Sequence, residues 1–450
     1  MESTSTRPLW QRFLVFLGPL VLTNVLQALG GTAITIYLGK LLGTRSLAAA
    51  VSFFPLFMCC MAFAIGLGTG ASVLVGQAWG ARDTDKVRRV AGSVLLGTLL
   101  LSCVIAGIGA AGIGPVLQAL GTPGDVLADA VGYARVLFAA MPVLFVHLML
   151  AALLRGLGDT VTPLKALAVA SSVWVLLTPA FILGWLGLPR LGTQSAAWAS
   201  MTGNALAVLW LAWHLHRKDS LLAPAKLREH LRWNAPVLAT VARLGVPTGL
   251  FFITSSLADA MLLSLVNRHG PGATAAWGTV GQVMAYVQFP AMSIAIAASV
   301  FAAQAIGAGR LDEIDHVKRV GLWMNLALTA GLAALVSLAA PLAVSLFSND
   351  PVVIELAASV LRITVWGSVA FGMASVFTSV MRAAGTVRVP TAISLGCLAV
   401  LLFPLAWVLQ QALGLRGVWV SYPLTYLVAL GLQALYFHGV WKRKPIRRLI

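Results

Sequence analysis

Apolar residues in this chain run in long blocks, separated by short charged or Gly/Pro-containing breaks. Each block is near the ~20 residues that a helix needs to cross a bilayer. Twelve blocks are placed at 13–38, 47–75, 90–114, 130–153, 163–187, 194–214, 240–266, 276–303, 319–341, 353–380, 389–413 and 417–440. The pattern predicts an all-α membrane protein of twelve transmembrane helices. The few polar residues inside the blocks keep helical spacing. Asn24, Gln27, Gly31 and Thr35 stand at i, i+3, i+7 and i+11 of the first block. Such a stripe faces either a cavity or a neighbouring helix to which it hydrogen-bonds. The eighth block carries Gln282, Tyr286 and Ser293 in the same manner.

The blocks come in two sets of six. LLRGLGDTVTP, residues 153–163, and VMRAAGTVRVP, residues 380–390, coincide at Arg155/Arg382, Gly158/Gly385 and Pro163/Pro390, always 227 residues apart. The same shift pairs Gly43 with Gly270, Ala49 with Ala276, Gln77 with Gln304 and Arg135 with Arg362. One constant offset marks a duplication. Because an even number of helices is repeated, the halves share orientation about an axis along the membrane normal. Residues 1–216 form the expected N-terminal lobe, 217–239 a linker and 240–450 the C-terminal lobe. The Arg-Gly-Pro motifs read as structural hairpins: Gly permits a left-handed cap, Pro opens the next helix, and Arg offsets the carboxyl end of the helix dipole. Within the linker, 226–233 is either a short surface helix with basic residues on anionic headgroups or a solvated connector.

Composition agrees with the helix count. The chain is 59% hydrophobic and 10% charged, with a mean hydropathy of +0.90, whereas soluble domains carry roughly 25% charged residues. The net charge of +17 suggests nucleic acid until its distribution is traced. With both termini cytoplasmic, all but seven of the 31 Lys and Arg fall on the cytoplasmic side; the exceptions are Lys40, Arg45, Arg135, Arg190, Arg268, Arg362 and Arg416. That bias is the positive-inside rule, so the expected location is the inner membrane and no nucleic-acid partner is implied. Arg7 and Arg12 ahead of an apolar run resemble a signal peptide, but the run passes Gly31 and has a counterpart near 244–266, so it is read as a retained helix. Cys59, Cys60, Cys103 and Cys397 lie within spans without ligand spacing, which implies neither a metal nor disulfides. GLGTG, Gly66–Gly70, lies inside a span and reads as close-packing glycine rather than a nucleotide loop. No cofactor and no enzymatic constellation is expected.

Several segments together resemble the multidrug and toxic-compound extrusion (MATE) family of secondary transporters. They are NVLQALGGTAITIYLGKLLG (Asn24–Gly43), the pair GQAWGA (Gly76–Ala81) and AQAIGAG (Ala303–Gly309), and RGLGDTVTP (Arg155–Pro163) with its degenerate copy RAAGTVRVP (Arg382–Pro390). The resemblance implies two six-helix lobes around a central cavity. It also implies export of amphiphilic drugs or metabolites, coupled to H+ or Na+, by a monomer in a lipid bilayer. Two departures stand out. Many members hold an Asp in the first helix where this chain has Ile34, and another branch holds a Glu in the seventh helix at the position of Ser255. A lipid-linked precursor flippase of the same superfamily is the nearest rival. Such proteins typically have two further helices and a cationic cavity, whereas this chain ends after the twelfth block and has no central Lys or Arg in its spans. A non-transport membrane scaffold is the other rival.

Coupling chemistry must then come from this chain's own residues. Of its 14 acidic residues, all but Asp259 fall in loops or at helix ends. A carboxylate at membrane depth is tolerated only when hydrated, paired or protonated, which makes Asp259 the candidate ion-coupling residue. Ser255 and Ser256 lie one turn before it and supply oxygens for Na+ or for a carboxyl group. The alternative is a structural carboxyl bonded to a hydroxyl on a neighbouring helix. Asn24, Gln27, Thr35, Gln282 and Tyr286 are the candidate cavity residues, with His147, which either relays protons or ties two helices together. Arg135 and Arg362 read as snorkelling side chains. At the repeat offset Asp259 corresponds to Thr32, so the acid is not duplicated.

Overall fold

The computed structural model describes residues 8–449, apart from the side chain of Leu186; Arg7, counted above among the cytoplasmic charges, lies outside them. Twelve long helices follow one another: α1 (Leu9–Leu42), α2 (Thr44–Gly80), α3 (Thr84–Ala119), α4 (Gly124–Gly156), α5 (Val161–Leu183), α6 (Ser195–Arg217), α7 (Ala235–Asn267), α8 (Pro271–Gly307), α9 (Glu313–Leu338), α10 (Pro351–Ala383), α11 (Arg388–Leu413) and α12 (Leu415–Gly439). Among the described residues there is no strand. Eleven of the helices are long and apolar enough to span a membrane. The twelfth, α6, is diluted by Thr202, Asn204, His214 and His216.

Local chemistry sets the ends. The Asp83 carboxylate accepts from the Lys86 amide at 2.8 Å and starts α3. Asp350 does the same for Val352 at 2.9 Å, with Pro351 opening α10. Side-chain oxygens at these positions satisfy amides that have no partner inside the helix. Gly43 and Gly270, one repeat apart, both adopt positive φ, +86° and +94°, before α2 and α8. Two helices expected to be continuous are interrupted. α10 breaks between Thr364 and Gly367, where Gly367 lies against Pro423. α11 widens to a π-helical turn over Cys397–Leu402 just before Pro404, which offers no amide to the Val400 carbonyl.

Packing divides the chain into two units, Leu22–Gly249 and a second made of the start of the chain through Val21 with Leu250–Ile450. The exchange falls inside α1 and α7, whereas the sequence repeat places its boundary in the linker. In the first unit α4 packs on α2 and α3 around Ala49, Phe53, Leu117, Val126, Ala130 and Met141. In the second, α10 packs on α8 around Ala276, Val280, Val344, Val353 and Ala357. These core positions correspond at the 227-residue offset (Ala49/Ala276, Phe53/Val280, Leu117/Val344, Val126/Val353, Ala130/Ala357). What the duplication repeats is a set of buried contacts.

Within the first unit, α2 crosses the opening part of α7 backbone to backbone. A Cβ on Gly70 would sit 2.6 Å from the Val241 carbonyl, and one on Gly245 would sit 2.5 Å from that of Gly66. The GLGTG segment is therefore a helix-crossing surface, the use to which membrane helices put small residues. The linker is docked on the same unit. Its short helix, Pro224–Arg228, follows the buried Leu222 and Ala223 and buries Leu227. His230 Nε2 lies 3.2 Å from Asp85 Oδ1, and the Asn234 amide donates to Ser93 Oγ at 3.1 Å.

Candidate functional site

Asp259 projects from the part of α7 that belongs to the second unit. There Ala258, Leu262 and Val266 pack against Leu398 and Leu402 of α11 and Val418 of α12. The hydroxyl of Tyr422, on α12, donates to Asp259 Oδ1. Oδ2 has no partner among the described residues, and Asp259 is exposed. The bond is of the kind foreseen for a structural carboxyl, yet it occupies only one of the two oxygens. A charge-assisted hydrogen bond of this type orients the carboxyl and leaves Oδ2 to accept from a visiting donor.

Rings surround this pair. Trp419, Tyr422 and Tyr426 stand at i, i+3 and i+7 of α12 and so share a face. Trp277 of α8 lies 6.0 Å from Tyr422 and 4.6 Å from Trp419, centroid to centroid. Tyr426 lies 6.1 Å from Tyr422 and 5.2 Å from Phe371 of α10. A carboxylate beside indole and phenol faces presents negative charge and π density together, the combination that attracts organic cations. Tyr422 and Trp277 went unnoticed at the sequence level. The i, i+3, i+7 aromatic spacing in α12 is the signal that marks Tyr422, and ordinary lipid-facing aromatics produce the same spacing; no such pattern marks Trp277 on α8.

The remaining expected residues distribute unevenly. Ser255 is half-buried, and the exposed Ser256 donates to the Phe252 carbonyl at 3.1 Å, so its proton is committed within its own helix. Among the described residues no group of three His, Cys, Asp or Glu side chains is placed to hold a metal ion. In the second unit Gln282 is exposed and Tyr286 half-buried, its ring edge-on to Phe289 at 5.6 Å. In the first unit Asn24 is half-buried, Gln27 and Thr35 are exposed, and Thr35 donates to the Gly31 carbonyl at 3.1 Å. His147 is only 5% exposed, and its Nδ1 lies 2.8 Å from Asn204 Oδ1 of α6. Asn204 in turn donates to the Ser200 carbonyl at 2.8 Å. Of the two roles open to His147, this bond supplies the interhelical tie between α4 and α6.

The hairpin motifs share one geometry. Gly158 and Gly385 have φ of +94° and +81°. Their amides donate to the carbonyls of Arg155 at 2.9 Å and Arg382 at 2.8 Å. Pro163 and Pro390 are buried in the first turns of α5 and α11. Asp159 adds a cap that the second copy lacks, accepting from the Val161 and Thr162 amides at 3.1 and 2.9 Å. In place of that aspartate the second copy has Thr386, whose hydroxyl accepts from Trp441 Nε1 at 3.0 Å.

A duplicated bundle of apolar helices of this length defines a multi-pass membrane protein. The MatE family model matches residues 19–180 and again 247–408, one segment in each half. The chain belongs to the MatE family. It is 39% identical to the probable multidrug resistance protein YoeA of Bacillus subtilis, over 100% of this chain and 98% of that one. It is 26% identical to the FAD transporter of Shewanella oneidensis, over 92% and 91% of the two chains. A crystal structure of a mutant of the Vibrio cholerae MATE transporter VcmN superposes with a TM-score of 0.90 at 19% identity, covering 97% of this chain and 98% of that one. That likeness concerns the fold.

Proposed function

We propose that this chain is a secondary efflux antiporter that exports amphiphilic, cationic compounds in exchange for H+ or Na+. The observation that carries the reading is the Asp259–Tyr422 pair, with one carboxylate oxygen open and aromatic rings beside it. Asp259 binds the coupling ion, and Tyr422 holds the carboxyl in place. The multidrug-resistance name of the Bacillus subtilis relative supports export. The name of the Shewanella oneidensis relative indicates that cargo varies among relatives, but a lone carboxylate repels an anionic cargo and favours a cation here. In alternating access, cation and coupling ion compete for Asp259, and each shifts the conformational equilibrium only by its differential affinity for the two states. Ser255 and Ser256 supplement the carboxyl when Na+ is the ion. Gln282 and Tyr286, in the same unit as Asp259, contribute polar contacts to the cargo. The protein acts as a monomer in the inner membrane with both termini cytoplasmic.

The deciding experiment is export of a cationic dye from inverted vesicles under an imposed pH or sodium gradient. Asp259→Asn is expected to abolish gradient-driven export while inserting normally. Full gradient-driven export by that variant would end the coupling assignment.

A further inference from the structure

The linker presents an aromatic and basic edge that the transport reading does not use. Trp233 is 61% exposed and Leu231 is 44% exposed, although the residues just before them, Leu222, Ala223 and Leu227, are buried. Arg228 and Arg232 are exposed on the same segment, and neither forms an ion pair among the described residues. Lys226 is paired with Asp219 at 2.7 Å, and Glu229 is the one acid between the two arginines.

The segment is held, so its edge has a defined depth. His230 bonds Asp85, the His230 backbone lies against Gly92, and the Asn234 amide bonds Ser93 Oγ. Any Cβ at Gly92 would collide with the His230 carbonyl, so this glycine is what admits the linker to the side of α3. Further along α3, exposed apolar residues begin at Leu99 and continue through Val104 to Ile108, which is 71% exposed. Such a stripe faces lipid chains. Ser93 precedes Leu99 by about 9 Å at the helical rise. Trp233, adjoining Asn234, is therefore placed before the first lipid-facing residues of α3. That is the level at which indoles settle and arginines meet phosphates.

We propose that Arg228, Arg232 and Trp233 form a binding edge for the headgroup of an anionic phospholipid, anchoring the linker to the leaflet on the side of the chain termini. Arg228 and Arg232 take the phosphate, and Trp233 and Leu231 seat in the interface. A solvated connector would have no use for an exposed tryptophan at this depth.

The test uses the full chain purified in detergent, with native mass spectrometry counting retained lipid and thermal unfolding as a second readout. The probes are phosphatidylglycerol, phosphatidylcholine and inorganic phosphate. The parent protein is expected to retain phosphatidylglycerol in preference to phosphatidylcholine and to gain no comparable stability from inorganic phosphate. Arg228→Gln with Arg232→Gln is expected to weaken phosphatidylglycerol retention on the order of tenfold, and Arg228→Lys with Arg232→Lys to restore most of it. Trp233→Ala is expected to weaken retention of both lipids. The proposal falls if the parent shows no preference for phosphatidylglycerol. It falls equally if the Gln pair retains the lipid as the parent does, or if inorganic phosphate substitutes for it. Should the Gln pair fail to fold, the lipid preference of the parent and the behaviour of the Lys pair decide.

Discussion

Arg135 donates from Nε to the carbonyl of Ala110 at 3.3 Å, and 227 residues later Arg362 donates from Nε to the carbonyl of Ser337 at the same distance. Each bond ties the fourth helix of its half to the far end of the third. The snorkelling read from the sequence is thus incomplete, because both guanidinium groups turn back onto backbone. Pro341, four residues after Ser337, has no amide to offer that carbonyl, which leaves it for the arginine. Replacing either arginine with Met keeps the apolar stem and removes the donor. Each single change is expected to cost about 0.5–1.5 kcal/mol. Having no partner in common, the two losses should add. Thermal unfolding of the single and double variants in detergent checks this; a double variant no less stable than the singles would refute it.

Tyr422→Phe keeps the ring between Trp277 and Tyr426 and deletes the hydroxyl that Asp259 accepts. The donated bond occupies Oδ1 and orients the carboxyl toward whatever ion or proton it receives. Its loss is expected to alter the pH dependence of transport while the amount of folded protein stays unchanged. Dye export measured across a pH series, beside the parent, supplies the comparison. An unchanged profile would reduce Tyr422 to packing.

The repeat and the helix count were legible in the sequence for physical reasons, and so was the oddity of Asp259 as a candidate. Lipid requires long apolar runs, and a duplicated packing scheme keeps its key residues at one offset. Asp259 stood out because an acid in such a run is costly. Its partner did not, because Tyr422 lies 163 residues away and looks like any other aromatic in a span. Nor was the docking of the linker visible: Gly92 and Ser93 read as ordinary small residues of a membrane helix, and only the fold sets His230 and Asn234 against them. The break in α10 falls at Val365–Trp366, where no proline announces it.

His147 and Asn204 supply a test of packing against proton relay. Asn204→Leu leaves a buried imidazole without its partner, and the unpaired group is expected to cost about 1–3 kcal/mol. His147→Leu strands Asn204 in the same way. The double variant should lose less than the sum of the two, with a coupling energy of roughly 0.5–3 kcal/mol. Per folded molecule, transport should persist in all three. If His147→Leu folds normally yet loses gradient-driven export, the histidine belongs to the transport chemistry after all.

Gly245 and Gly66 meet with no room for a side chain, since a Cβ on Gly245 would lie 2.5 Å from the Gly66 carbonyl and 2.8 Å from the Leu67 Cα. Both obstacles are backbone, so neither can rotate away, and Gly245→Ala forces the helices apart. Overpacking of this kind costs typically 1–3 kcal/mol. Gly331 in α9 and Gly281 in α8 make the opposite case, with nothing within 4 Å of an added Cβ. Replacing a helical glycine with alanine there is expected to gain up to about 1 kcal/mol from reduced backbone freedom. Thermal unfolding should therefore separate the two classes in sign: Gly245→Ala and Gly70→Ala lower the midpoint, Gly331→Ala and Gly281→Ala raise or hold it. If alanine is tolerated equally at all four positions, α2 and the start of α7 are not locked, and the glycine crossing is no constraint on the fold.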